Sequence, residues 1–189
     1  MNTTNMVLCG LGGQGILFMT KVLSKAALRK NFNVLGAETH GMAQRGGSVV
    51  SHLRLGDVQG SLVRTGTAQI VLALEENEGY RNLPFISSGG ALFVNTSSPS
   101  FPREEVKAYL LSHEVRWHQV PASAIALSMG APLSSNLALL GYFSAFGEEP
   151  FTHENLRTEV LESSPDRFRE KNLRVFDAAF EKGTEEKKH

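Results

Sequence analysis

Cysteine is nearly missing from this chain. One, Cys9, stands among 189 residues. A single thiol cannot close an internal disulfide, and a single thiolate cannot hold an iron–sulfur cluster, which takes four. Any redox metal working with this polypeptide must sit on another one. Net charge is missing too: nineteen Lys and Arg balance nineteen Asp and Glu. That leaves no basic field for nucleic acid and no polybasic patch for an anionic membrane surface. No apolar run reaches the roughly 18 residues of a membrane span, and the opening Met-Asn-Thr-Thr-Asn lacks a charged-then-apolar signal pattern. The expected address is the cytoplasm. None of the six histidines keeps a metal-ligand spacing, so no metal site is expected. Neither a Gly-x-Ser-x-Gly elbow nor a Walker lysine occurs, which sets aside hydrolase and P-loop chemistry.

What is present is the alternation of an α/β protein. Residues 6–9 (MVLC) form a short apolar run ending at glycine, as a buried parallel strand does. From Ile16 to Leu28 the apolar positions Ile16, Met19, Val22, Leu23, Ala26 and Ala27 recur at helical spacing, with Lys21, Lys25 and Arg29 on the other side. Asn33 to Ala37 supplies a second strand, completing a Rossmann-like βαβ unit. Ser48 to Val63, interrupted by Gly56-Asp57, alternates as an antiparallel hairpin would. Buried-strand runs follow at Gln69–Leu74, Ala91–Asn95 and Val115–Val120, with a helix over Glu104–Leu111. The expectation is a three-layer α/β/α fold on a mixed, mostly parallel sheet. Ser134 to Phe146 is apolar nearly all round, which predicts a helix buried on several sides and suggests a face toward a partner subunit. Ser164-Pro165 offers an N-cap and an N1 proline for a last helix striped by Phe168, Leu173, Phe176 and Phe180, and Gly183 offers its stop. Residues 1–183 then read as one domain, and 184–189 as a charged, mobile tail.

The stretch Cys9-Gly10-Leu11-Gly12-Gly13-Gln14-Gly15-Ile16 carries the chemistry. Gly10, Gly12 and Gly15 fit the G-x-G-x-x-G spacing between a strand and a helix. Bare backbone there permits a sharp turn, and the amides of the first helical turn can meet a phosphate. Glu38 ends the second strand, where a dinucleotide fold places its ribose-binding acid, so a stand-alone NAD or FAD enzyme is one reading. Glycines serving only close packing are another. The continuation Thr39-His40-Gly41-Met42-Ala43-Gln44-Arg45-Gly46-Gly47 points elsewhere. A polar, glycine-rich loop leaves the carboxyl end of strand two on the same edge as the glycine turn, where open α/β sheets collect ligands.

The pair GLGGQGI (Gly10 to Ile16) and ETHGMAQRGGSVVSHLRLG (Glu38 to Gly56) resembles the gamma-type subunit or domain of the 2-oxoacid:ferredoxin oxidoreductases. The variant ETHGMAQRGG is most similar to the smaller, beta subunit of the indolepyruvate enzymes. The likeness extends through Ile70 to Glu78 and the later helix containing Asn136. It implies an assembly that decarboxylates a 2-oxoacid oxidatively, an aryl one by this motif variant with pyruvate, 2-oxoglutarate or a branched-chain 2-oxoacid as the alternatives, reduces ferredoxin and makes the acyl-CoA thioester. Thiamine diphosphate and iron–sulfur clusters would belong to a larger partner subunit in a hetero-oligomer, and this chain would be inactive alone. The resemblance associates such domains with coenzyme A. It carries that association onto Gly12, Gly13, Gln14 and Gly15, and onto Thr39, His40, Gly41, Met42, Gln44 and Arg45. The chemistry is compatible: the phosphates of coenzyme A suit a helix N-terminus together with a guanidinium fork at Arg45.

Each residue also has a plainer reading. His40 is a candidate proton donor, since an imidazole titrates near neutrality, or else a structural loop histidine. Cys9 reads as a small buried hydrophobe rather than a nucleophile. Glu75, Glu76 and Glu78 read as first-turn acids favoured by a helix dipole.

Overall fold

In a computed structural model that describes residues 3–41 and 46–188, β1 (Thr4–Leu11) is buried from Asn5 to Gly10 and feeds α1 (Ile16–Arg29). Every apolar position of the α1 stripe named above is buried. The chain continues through β2 (Val34–His40), β3 (Ser48–Leu55), β4 (Ala68–Ala73), α2 (Glu76–Arg81), a 3-10 turn (Leu83–Phe85) and β5 (Ile86–Asn95). Then come α3 (Glu104–Ser112), β6 (Arg116–Val120), α4 (Ala122–Ser128), α5 (Ser135–Ser144), α6 (His153–Ser163) and α7 (Asp166–Glu186).

The strands lie in one sheet in the order β2-β3-β1-β4-β5-β6. The β1/β4, β4/β5 and β5/β6 pairs are parallel, and only β3 runs against its neighbours β1 and β2. This is the mixed, mostly parallel three-layer sandwich that the alternation predicts. One face of the sheet packs Met6, Leu8, Leu53, Leu72 and Phe93 against α1, α5, α6 and α7, whereas the other sets Val7, Cys9, Val71 and Leu92 against Leu83, Leu110 and Val115.

Two expectations about the N-terminal half need correction. β2 is parallel to β1 but not beside it, because β3 lies between them. The antiparallel hairpin is therefore β2–β3, not two strands within 48–63. Residues 58–63 pair with no strand among the described residues, since both edges of β3 are already hydrogen-bonded. They fold as a loop held by Arg54 Nη1 on the Gly60 carbonyl (2.7 Å) and by Val63 N–H donating to His52 Nδ1 (3.3 Å). Pairing with β3 also carries β2 past Ala37 to His40, so Glu38, Thr39 and His40 are strand residues.

Toward the C-terminus, α5 is buried along Asn136–Ser144. The chain's own helices cover it, which accounts for its all-round apolar character without a partner. Gly141 lies so near α7 that a Cβ would overlap the Phe176 carbonyl oxygen. The cap of α7 falls one residue later than expected, at Pro165, and the Ser164 hydroxyl instead accepts from Asn172 Nδ2 (3.0 Å). Gly183 does not end the helix. It is a close-approach position, where a Cβ would stand 2.8 Å from Ala145 Cβ, and α7 runs on to Glu186. There the Tyr142 hydroxyl donates to Glu186 (2.6 Å) and Lys187 Nζ donates to the Ala145 carbonyl (3.2 Å).

Candidate functional site

Because β3 is antiparallel to both β1 and β2, those two strands end on the same edge. The register aligns Gly10, Val49 and His40 across the three strands and puts Leu11 opposite Ser48. The glycine turn and the loop after β2 leave side by side, and a backbone bond from Gly12 N–H to the Gly47 carbonyl (2.8 Å) joins them. Gly41 N–H donates to the Ser48 carbonyl (2.7 Å), closing the base of the second loop. The helices after β1 and β4 depart to opposite faces, so this junction borders the switch point where open sheets hold ligands.

The turn itself needs glycine at Gly13 (φ 97°) and at Gly15 (φ 85°), the left-handed N-cap of α1. Gln14 N–H closes the turn on the Leu11 carbonyl (3.1 Å), and its side-chain Oε1 accepts from Leu11 N–H (2.7 Å). The carbonyl end of Gln14 thus braces the turn rather than facing a ligand. A Cβ on Gly10 would stand 2.7 Å from that oxygen. Among the described residues, α1 has no side-chain cap and no acid in its first turn, which leaves a positive helix end beside the exposed Gly12 and Gly13.

Against this turn lies a cleft of about 410 Å³, walled by Gly12, Gly13, Leu17, Phe18 and His40 among others. His40 is half-exposed, 3.7 Å from Glu38. Thr39, next along the strand, faces the opposite side of the sheet, its hydroxyl on the Val50 carbonyl (3.4 Å). Gly41 is exposed where the loop begins. Met42, Gln44 and Arg45 lie outside the described residues. Gly10, Gly12, Gly13, Gly15, His40 and Gly41 are therefore brought together, while Thr39 and the Gln14 carbonyl are turned elsewhere.

Glu38 fails the geometry of a dinucleotide site. It pairs with Ser51, which pairs with Leu8. The acid lies two strands from β1, roughly 10 Å away, where a ribose-binding acid would occupy the adjacent strand. Cys9 is buried and donates to the Glu78 carbonyl (3.4 Å). Burial first, then the Glu78 charge, push its pKa well above the ordinary thiol range, so it stays an inert thiol. Among the described residues, no group of three or more His, Cys, Asp or Glu could hold a metal ion, and no helix is long and apolar enough to cross a membrane.

Two polar residues, Glu78 and Asn136, belong to the neighbourhood although sequence reasoning did not place them there. Glu75 does cap α2, accepting from Asn77 and Glu78 amides, but Glu78 is buried at 1% exposure. Its Oε2 accepts from the Ser48 hydroxyl (2.6 Å) and its Oε1 pairs with Arg81 (2.6 Å). Only its inward phase, three residues past the cap, distinguishes it from the other acids. Asn136, buried at the start of α5, donates to the Gly15 carbonyl (3.4 Å).

Comparison with known proteins accords with this architecture. The model of the family described as "Pyruvate ferredoxin/flavodoxin oxidoreductase" matches residues 5–182. The "Indolepyruvate oxidoreductase subunit IorB" of Methanothermobacter thermautotrophicus is 36% identical over 187 residues, covering 93% of this chain and 95% of that protein. In fold, the chain is similar to the gamma subunit of a keto/oxoacid ferredoxin oxidoreductase from Geobacter sulfurreducens (TM-score 0.73, 20% identity, 95% of this chain and 98% of that one). It is also similar to part of a 2-oxoglutarate:ferredoxin oxidoreductase from Magnetococcus marinus solved with coenzyme A bound (TM-score 0.74, 21% identity, 98% of this chain but 31% of that one).

Proposed function

The chain belongs to the pyruvate ferredoxin/flavodoxin oxidoreductase family, and from that premise we propose that it is the small subunit of a cytoplasmic indolepyruvate-type 2-oxoacid:ferredoxin oxidoreductase. The assembly would convert an aryl 2-oxoacid and coenzyme A to the acyl-CoA and CO2, delivering two electrons to ferredoxin. Thiamine diphosphate and the iron–sulfur clusters belong to the larger subunit in this reading. A chain with a single cysteine, and that one buried, lacks the four thiolates of a cluster.

This chain's share is to hold coenzyme A and help close the active site. The observation that carries the reading is the Gly12–Gly47 backbone bond, which ties the glycine turn to the base of the second loop beside a helix end that has no side-chain cap among the described residues. The phosphates of coenzyme A suit the α1 amides. The apolar wall of Leu17 and Phe18 suits the aliphatic pantetheine arm, and His40 stands within reach to donate or accept a hydrogen bond. Arg45, which follows in the sequence between Gly41 and Gly46 and lies outside the described residues, carries a guanidinium, the group that pairs with phosphate.

Purification of the native assembly tests this directly. The chain is expected to elute with a larger thiamine- and cluster-containing subunit and to be required for CoA-dependent reduction of ferredoxin by indolepyruvate. A chain that elutes alone, or that binds NAD unaided, overturns the reading.

A further inference from the structure

Ser48 is a joint between three segments. Its carbonyl accepts from Gly41 N–H, the carbonyl just before it accepts from Gly12 N–H, and its hydroxyl reaches across to Glu78 on α2. The first two bonds tie down the second loop and the glycine turn. The third connects both to a buried carboxylate whose remaining oxygen is held by Arg81. A buried, ionised carboxylate is costly unless its hydrogen bonds are made. At 2.6 Å the Ser48–Glu78 contact has the length of a charge-assisted hydrogen bond. The carboxylate lies on the face away from the cleft, and neither Glu78 nor Ser48 is among the described residues that wall it.

We propose that the Ser48–Glu78 pair is a positioning device, fixing the glycine turn at Gly12 against Gly41 and Gly47 and thereby the affinity of the assembled enzyme for coenzyme A. The second half rests on the function proposed above. Ser48 and Glu78 take no part in the chemistry and act through Gly12, Gly41 and Gly47.

The test uses the co-purified complex carrying Ser48→Ala, with two readouts. Hydrogen exchange at the Gly12 and Gly41 amides reports the joint itself, and the kinetic constants report its use. Exchange at both amides is expected to quicken about ten-fold, the loss of one charge-assisted bond. KM for coenzyme A is expected to rise by a similar factor while kcat and KM for the 2-oxoacid stay within about two-fold. Ser48→Thr, which keeps the hydroxyl, should restore both. Glu78→Gln, which keeps the shape but not the charge, should fall between and serves if Ser48→Ala does not assemble. Unchanged exchange overturns the device and leaves the functional reading intact. Faster exchange with an unchanged KM for coenzyme A overturns the assignment of the loops to that substrate while the joint stands. Equal losses in kcat and both KM values, with a lower melting temperature, reduce the pair to a structural role and overturn the proposal.

Discussion

Glycine and histidine show how much a single residue's conformation or protonation decides here. Gly15 caps α1 in the left-handed region and lies against Asn136. An alanine there pays about 1–2 kcal/mol for that conformation and displaces the amide that holds the Gly15 carbonyl. Gly15→Ala is expected to lower the unfolding free energy, read from urea denaturation, by about 1–2 kcal/mol and to weaken coenzyme A binding in the assembled enzyme. His52 is buried, with Nδ1 accepting from Val63 N–H, which requires a neutral ring. Burial lowers its pKa, and burial lowers that of His118 as well, against the opposing pull of Glu186. For a lowered histidine the unfolded chain binds the proton more readily. Its stabilisation is therefore complete above the ordinary value near 6.5 and drains away as pH falls below it. Urea midpoints measured from pH 7.5 down to 5 should decline, and a His52→Asn, His118→Asn double variant should show a shallower decline.

At the scale of elements, the contact between α5 and α7 carries two expectations. Gly→Ala inside a helix ordinarily gains about 1 kcal/mol from propensity. At Gly141 the added methyl meets the Phe176 carbonyl, a backbone atom that cannot rotate away. Gly141→Ala is expected to reverse the sign and destabilise by about 2–3 kcal/mol, as overpacking does, read by equilibrium unfolding. The end of α7 is bound by Tyr142–Glu186 and Lys187–Ala145 hydrogen bonds. Tyr142→Phe should therefore lose about 1 kcal/mol. Removing residues 184–189 should lose at least as much, an effect that a loosely attached tail would not produce.

For the molecule as a whole, the decisive element is β3. Inserted against the direction of its neighbours, it separates β1 from β2, withdraws Glu38 from the glycine turn and removes the acid on which a dinucleotide site depends. The same insertion brings Gly47 beside Gly12. Titration of the isolated chain with NAD is accordingly expected to show no saturable heat, as calorimetry would register.

Much of this was legible in the amino-acid order, for local reasons. Apolar periodicity marked α1, α5 and α7 and the buried runs, because spacing along an element is set by its own geometry, whereas the short α4 went unread. The glycine turn and the loop beyond Glu38 could be placed on one sheet edge from chain direction alone. Strand adjacency could not be read, since alternation in 48–63 says which residues face inward but not which strand they pair with. That choice went to β1 and β2, whose edges satisfied β3 on both sides. Nor could Glu78 be told from Glu75 and Glu76, or Gly183 from a helix stop. Burial and close approach depend on what the rest of the chain packs against those positions, and only the tertiary structure supplies that.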